Sequence, residues 1–313
     1  MILTVTPNTA LDVTYTVERL VPHGSHRVGS VGSRAGGKGV NVARVLQSLG
    51  RDVLALGFAG GATGEEVRAE LAAHGLPAEL VPLTSGSSRR TVTVVSEADG
   101  DATVFNEPGS PLAQADWATF VERYTALLGR VRVVALSGSL PPGAPPESYA
   151  VLVTLAARQS VATVVDAAGE PLRHALAAGP DVVKPNLEEA RATTGLDDPL
   201  RAAARLRDDG AGTAVVSCGA DGLLAVGHEG TWRARPPERS PGNPTGAGDA
   251  CVAALAAGLA DGTPWPVRLA EATALSAAAV LAPLAGELDH SAYRRLRELV
   301  AVESLPTDGG TGP

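Results

Sequence analysis

The sequence predicts an α/β protein in which a parallel β-sheet is covered by helices on both faces. Short apolar runs rich in β-branched residues alternate with helical stretches along the chain, as expected for βαβ units. These runs are apolar almost throughout, which is typical of strands buried on both sides. Thirty-six glycines and 23 prolines supply the turns between many short elements.

The strand–helix units follow one another in order. A strand over Val53–Leu56 precedes a helix at about 65–74, which Gly75 ends. A second strand over 131–136 precedes a loop and then a helix at about 147–159. Further buried strands are expected at 161–165, 182–183 and 214–216.

Two stretches, 12–31 and 90–106, have strand-like composition with polar alternation, and Asp99-Gly100-Asp101 in the second is a hairpin signal. Strands with one solvent-exposed face suggest a small β-sheet that projects from the core as a lid. The alternative is that these strands form an antiparallel edge of the main sheet. We therefore expect one domain over 1–302, with lid segments at about 12–31 and 88–107 inserted. Residues 303–313 are rich in Gly, Pro and Thr and predict a flexible tail.

Composition excludes several classes of protein. A net charge of −8 argues against nucleic acid as a partner, because binding to its phosphate backbone requires a basic face. Two cysteines, Cys218 and Cys251, are too few for a disulfide framework. The sequence contains no signal-peptide pattern and no window of ~18 uninterrupted apolar residues. We expect a cytoplasmic protein with no membrane partner.

The run Gly246-Ala247-Gly248-Asp249 leads directly into a strongly helical segment, 250–259. Glycines in the first turn of a helix expose backbone N–H groups to an anion at the positive end of the helix dipole. Asp249 in the same turn can take a proton from a hydroxyl that attacks a phosphate. Taken alone, however, Asp249 also fits a carboxylate that only favours the helix dipole.

A second glycine cluster, residues 36–39, precedes a helical stretch at 40–46. The spacing from Gly32 to Lys38 nearly matches a Walker A loop, but Gly39 stands where that motif needs a Ser or Thr hydroxyl for magnesium. We therefore reject a P-loop and expect a site for a hydroxyl-rich substrate, with Lys38 and Asn41 as donors.

Two further polar runs, 137–143 and 183–190, follow predicted strands, where open α/β sheets bind ligands. Lys184, Asn186 and Glu189 supply the cation, amide and carboxylate that a nucleotide phosphate and its magnesium require, although each alone also fits a surface loop. Residues 217–222 fail the dinucleotide-binding fingerprint because Ser217 replaces its first glycine. A dehydrogenase is therefore disfavoured.

In their order and spacing, these motifs resemble the ribokinase-like, or PfkB, carbohydrate kinases over about residues 3–281. The early glycine pair and the late Gly-Ala-Gly-Asp run are the two signatures. Runs at 6–12, 36–43, 106–109 and 137–143 resemble the hexose-phosphate branch, which includes 1-phosphofructokinase, tagatose-6-phosphate kinase and the minor 6-phosphofructokinase. The resemblance implies a three-layer α/β/α ribokinase-like core with a small β-sheet lid, often paired with a second lid in a homodimer.

The resemblance also implies a role for each matching residue. Asp249 is the base, and Gly246, Ala247 and Gly248 form the anion hole. The sugar hydroxyls contact Asp12, Gly36, Gly37 and Asn41, and the phosphate of the substrate contacts Lys38, Arg90 and Ser139, with Arg27 as a further candidate. The ATP side is lined by Lys184, Asn186, Glu189, Ser217, Gly219, Gly222 and Thr245, with Glu189 and Asn186 holding Mg²⁺ through water.

The expected activity is therefore ATP- and Mg²⁺-dependent phosphorylation of a ketohexose phosphate, with fructose 1-phosphate the first choice and fructose 1,6-bisphosphate the product. Tagatose 6-phosphate, fructose 6-phosphate or a free sugar are alternative acceptors. A non-catalytic sugar- or nucleotide-binding regulator is the alternative from another class. Thr9 stands where this branch usually has Pro, in the loop before Asp12, which leaves the choice of sugar open.

Overall fold

The computed structural model describes residues 1–238, 242 and 244–306. In chain order the strands are β1 (Ile2–Thr6), β2 (Ala10–Val17), β3 (Ser30–Gly36), β4 (Val53–Ala59), β5 (Ala78–Pro82), β6 (Arg89–Ser96), β7 (Asp101–Asn106), β8 (Val133–Ser137), β9 (Ala162–Asp166), β10 (Val182–Val183), β11 (Thr213–Ser217), β12 (Leu223–Gly227), β13 (Gly230–Arg235) and β14 (Ala301–Leu305).

The helices are α1 (Lys38–Ser48), α2 (Gly61–Ala73), α3 (Gln114–Leu128), α4 (Ser148–Arg158), α5 (Gly169–Ala177), α6 (Leu187–Thr194), α7 (Pro199–Asp208), α8 (Ala247–Asp261), α9 (Trp265–Val280) and α10 (His290–Arg297). A short 3₁₀ turn covers Gly219–Asp221. Within the described ranges, no helix is both long and apolar enough to cross a bilayer.

The large sheet has ten strands in the order β14-β13-β12-β11-β10-β9-β8-β1-β4-β5. The seven strands β11-β10-β9-β8-β1-β4-β5 run parallel, and β12, β13 and β14 continue the sheet in antiparallel pairs. Successive residues of one strand, such as Ile2 and Leu3, belong to two separate apolar clusters, because side chains alternate between the faces of a sheet. The predicted three-layer α/β/α core is confirmed.

The lid is a separate four-stranded sheet in the order β3-β2-β6-β7. It is therefore not an antiparallel edge of the main sheet. The two central strands, β2 and β6, lie side by side and run parallel, and each has an antiparallel partner on its outer side. Alternation along β2 buries Leu11 and Val13 against the core, while β7 is exposed along its whole length.

The predicted start of the tail at residue 303 is wrong. Residues 303–305 belong to β14, which pairs with β13 in antiparallel register. Val302 and Leu305 are partly buried against the core, so this segment gains both a hydrogen-bonding partner and apolar contacts that composition alone did not indicate. Residues 307–313 lie outside the described residues.

Candidate active site

A cleft of about 780 Å³ opens where the carboxyl ends of the parallel strands meet the lid and the start of α8. Most of the sequence-predicted site residues line it. They are Asp12, Gly37, Lys38, Asn41, Lys184, Asn186, Glu189, Ser217, Gly219, Gly222, Thr245, Gly246, Ala247, Gly248 and Asp249. The structure thus brings the two glycine motifs together with the segments at the ends of β10 and β11, although these parts lie far apart in the sequence.

The first turn of α8 is built to receive an anion. Gly246 caps the helix with φ of 88°, in the left-handed region that favours glycine. The N–H of Ala247 already donates to Pro244 O at 3.2 Å, so the amides further along the turn are the ones left for a ligand. A Cβ added at Gly248 would lie 3.5 Å from Lys184 Nζ. The ammonium group of Lys184 therefore lies beside the first turn of α8.

Asp249 is the third residue of α8 and is buried, with 6% of its surface exposed. Its Oδ2 atom accepts a hydrogen bond from Asn41 Nδ2 at 2.9 Å. Burial raises the pKa of Asp249 to about 7, and the nearby carboxylate of Asp166 adds to this increase. Asn41, Lys38 and Lys184 act in the opposite direction but do not outweigh it. A carboxylate with a pKa near neutrality is well matched to general-base catalysis at physiological pH.

Asp166 is a site residue that the sequence analysis missed. It ends β9, is 1% exposed, and lies 3.3 Å from Lys38 Nζ and 3.4 Å from Lys184 Nζ. Burial lowers the pKa of Lys184, but Asp166 and other nearby anionic groups outweigh it, so this pKa lies above its usual range. Asp166 directly follows the predicted strand at 161–165, so the strand-end rule that selected Lys184 also applies to it.

Asn186 and Glu189 begin helix α6 with a reciprocal capping box. Asn186 Oδ1 accepts the N–H of Glu189, and Glu189 Oε2 accepts the N–H of Asn186, both at 2.8 Å. Glu189 Oε1 faces the cleft, 3.9 Å from Lys38 Nζ. No group of three His, Cys, Asp or Glu side chains able to hold a metal occurs among the residues described. The carboxylates fit Mg²⁺ only as an ion held mainly by phosphates and water, a common arrangement for this metal.

The lid contributes Arg89 to the cleft, and this corrects the prediction of Arg90. In the parallel register of β2 and β6, Asp12 lies opposite Thr91, so Arg89 and Thr91 share its face of the lid. Arg90 is exposed on the other face. Two adjacent arginines in a strand point in opposite directions, and sequence alone did not reveal which one faces inward.

The remaining predicted residues lie outside the lining of the cleft. Gly36 is buried beside Asp12, where a Cβ would lie only 2.0 Å from Asp12 Oδ2, so glycine makes room for that carboxylate. Ser139 is exposed and accepts a hydrogen bond from Asn8. Arg27 is exposed in the connection between β2 and β3. The substrate contacts assigned to Ser139 and Arg27 stay predictions.

The fold and this geometry define a phosphotransferase that acts on an alcohol. A base must reach a hydroxyl, and cations and amides must neutralise a transferring phosphoryl group. Asp249 has the chemistry for the first requirement, and Lys184 with the first turn of α8 has the chemistry for the second.

Comparison with known proteins agrees with this class. The family model described as pfkB family carbohydrate kinase matches residues 4–291. The 1-phosphofructokinase of Xanthomonas campestris pv. campestris is 39% identical over 83% of this chain and 84% of its own. The 1-phosphofructokinase of Escherichia coli K12 is 34% identical over 89% and 90%. The chain belongs to the pfkB family of carbohydrate kinases, so the family resemblance is confirmed.

Solved structures agree as well. Phosphofructokinase-2 from Escherichia coli in complex with fructose-6-phosphate has a TM-score of 0.87 at 31% identity, covering 95% of this chain and 98% of that chain. The tetrameric inhibited form of the same enzyme has a TM-score of 0.89 at 30% identity, with the same coverage. This chain is therefore a carbohydrate kinase, a phosphotransferase with an alcohol group as acceptor.

Proposed function

We propose that this protein transfers the γ-phosphoryl group of ATP to a hydroxyl of a ketohexose phosphate, and that fructose 1-phosphate is converted to fructose 1,6-bisphosphate. The observation that carries the proposal is the buried Asp249 at the start of α8, beside Lys184 and the Gly248 backbone. Arg89 in the cleft lining supports an acceptor that already carries a phosphate. The two 1-phosphofructokinase relatives support the choice of fructose 1-phosphate.

Each step in this proposal belongs to a particular part of the cleft. Asp12 and Asn41 orient the hydroxyls of the acceptor, and Asn41 also holds Asp249 through its hydrogen bond. Asp249 takes the proton of the attacking hydroxyl, whose oxygen then bonds to the γ-phosphorus while the bond to ADP breaks. Lys184 and the first turn of α8 stabilise the charge on the transferring group.

The nucleotide occupies the other half of the cleft in this proposal, against Ser217, Gly219, Gly222 and Thr245. Mg²⁺, when bound, neutralises charge on the phosphates. Glu189 Oε1, with Asn186 beside it, would hold the ion through water.

We further infer a homodimer formed through the lid. Two strongly exposed apolar side chains, Val31 at 65% and Phe105 at 56%, lie on the same face of the lid sheet in its strand registers. Exposed apolar surface of this kind marks protein–protein contacts. The tetrameric form described for phosphofructokinase-2 concerns that enzyme. Sedimentation velocity at micromolar concentration tests the state of this one, and a monomer would refute the inference.

A coupled assay of ADP release tests the proposed reaction. The panel consists of fructose 1-phosphate, fructose 6-phosphate, tagatose 6-phosphate and free fructose, each with ATP and Mg²⁺. We expect kcat/KM to be highest for fructose 1-phosphate. A higher value for another sugar phosphate would change the substrate and keep the mechanism. Sugar binding without ADP release on any substrate would instead indicate a non-catalytic binding protein.

A further inference from the structure

Asn8 joins three segments around the lid side of the cleft. It lies in the short connection between β1 and β2 and is 8% exposed. Its Nδ2 atom donates to Pro108 O and to Ser139 Oγ, both at 3.1 Å. Its backbone carbonyl oxygen accepts a hydrogen bond from Arg89 Nε at 3.1 Å. One residue therefore ties Ser139 to the arginine that lines the cleft.

Asn8 also fixes the direction of the hydrogen bond at Ser139. A peptide carbonyl oxygen only accepts, so the side-chain atom of Asn8 that faces Pro108 must be the amide nitrogen. The same nitrogen donates to Ser139, whose oxygen therefore accepts. The hydroxyl hydrogen of Ser139 is left to donate to another group. Ser139 is exposed and follows Gly138, where a Cβ would lie 3.7 Å from Cβ of the cleft residue Lys38.

Arg89 is held in a comparable way. Its Nε bonds to Asn8, and its Nη1 donates to Thr91 Oγ1 at 3.3 Å and to Glu107 O at 3.4 Å. Among the residues that the structure describes, Nη2 has no hydrogen-bond partner. A guanidinium fixed on one side presents its remaining N–H groups in a set direction, which suits a phosphate oxygen.

Packing holds the Asn8 side chain in this orientation. Gly109, at φ of 94°, lies against its oxygen, and a Cβ there would be 2.5 Å from Asn8 Oδ1. A glycine at this position thus leaves just enough room for the amide, with its nitrogen facing Pro108 and Ser139.

We propose that Asn8 is a positioning residue that fixes Arg89 and Ser139 as one pair of donors for the phosphate group of the acceptor. The inference rests on the proposed function, because it requires an acceptor that already carries a phosphate. Asn8 acts through the two donors and does not touch the reacting atoms.

The variant Asn8→Asp tests this role. It keeps the size of the side chain but reverses its polarity, so the carboxylate accepts the hydrogen of Ser139 and adds negative charge beside the phosphate. We expect KM for fructose 1-phosphate and the inhibition constant of inorganic phosphate to rise together by roughly 10- to 150-fold, the range for a hydrogen bond to a charged group. We expect kcat to change by less than about threefold and KM for ATP to stay unchanged.

Two further variants sharpen the test. Asn8→Ser is uncharged and too short to reach Ser139, so it raises the same two constants by a smaller factor and serves if the carboxylate prevents folding. The double variant Asn8→Asp/Ser139→Ala measures coupling. If Asn8 acts through Ser139, then Ser139→Ala raises KM in the wild type and has little further effect in the Asn8→Asp background.

Ser110→Ala is the matched control. Ser110 lies in the same connection after β7 as Pro108, but its hydroxyl bonds to the backbone of Ser87 and not to Asn8. We expect this variant to leave both phosphate constants unchanged. An equal rise in Ser110→Ala would assign the effect to general loosening of the connection and overturn the inference.

The outcomes separate the inference from the proposed function. If the wild type phosphorylates only unphosphorylated sugars and inorganic phosphate does not inhibit it, both fail. If the wild type uses a sugar phosphate while Asn8→Asp leaves its KM unchanged, the inference about Asn8 fails alone. Fully additive effects of Asn8→Asp and Ser139→Ala overturn it as well.

Discussion

Replacing Asp249 by Asn separates catalysis from stability. The amide keeps the shape of the side chain and can still accept the hydrogen bond from Asn41, but it cannot take a proton. We expect kcat to fall by roughly 10²- to 10⁴-fold, the usual share of a general base, with ATP binding retained. The same substitution removes a carboxyl group whose charged form is disfavoured by burial, so the variant should unfold less readily than the wild type.

The size of the stability effect follows from the pKa of Asp249, which is raised from 3.8 to about 7. A raised pKa contributes stability below pH 3.8 that is lost as the pH rises to about 7, because the unfolded chain releases the proton first. Between pH 5 and pH 8 the free energy of unfolding of the wild type therefore falls by about 3 kcal/mol relative to that of Asp249→Asn, because the asparagine does not titrate. The stability advantage of Asp249→Asn should grow by that amount.

Urea unfolding followed by circular dichroism at pH 5, 6, 7 and 8 measures this difference. Asp289→Asn is a suitable control, because hydrogen bonds from Ala292 and Ser291 lower the pKa of this helix-capping carboxylate. Its effect on the free energy of unfolding should stay constant over this pH range. A difference between wild type and Asp249→Asn that does not vary with pH would refute the assignment of a buried, protonatable Asp249.

Three further predictions concern the lid. Arg89→Ala should raise KM for the sugar phosphate by roughly 10- to 150-fold, because it removes hydrogen bonds to a charged group. Arg90→Ala, on the opposite face of the lid, is the control. A larger increase in KM for Arg90→Ala than for Arg89→Ala in steady-state kinetics would instead support Arg90 as the residue that contacts the phosphate. Gly36→Ala should lower kcat/KM by roughly 10- to 100-fold by displacing the carboxylate of Asp12, and unchanged kinetics would show that this carboxylate tolerates movement. Phe105→Asp should weaken self-association at least tenfold in sedimentation equilibrium without changing kcat; an unaltered dissociation constant would place the interface elsewhere.

Local sequence predicted the core and the start of α8 well. Strand and helix signals near Val53, Val133 and Ala162 depend on short-range periodicity, which the sequence carries directly. The Gly-Ala-Gly-Asp run combines a helix start with glycines at the turn. Four neighbouring residues therefore indicate both where α8 begins and that its first turn suits an anion.

Features that depend on long-range register could not be predicted in the same way. The choice between Arg89 and Arg90 is set by the pairing of β6 with β2, which are more than seventy residues apart in the chain. The strand at 301–305 forms because β13 offers it an unpaired edge. Asp166 was missed for a different reason: its position at the end of a predicted strand was visible, but its partners Lys38 and Lys184 come from two distant parts of the chain.

The lid sheet is attached to the core at one end only, so it can bend like a beam that is fixed at one end. β2 and β6 both leave the core at the cleft, and β3 and β7 both return there, so all four strands are clamped at one end. Asp12 and Arg89 lie near the clamp, where bending moves a side chain least. The turns at 18–29 and 97–100 form the free end. Insertions or substitutions at that end should change the stiffness of the lid and its contacts with a second subunit. They should leave Asp12 and Arg89 in place.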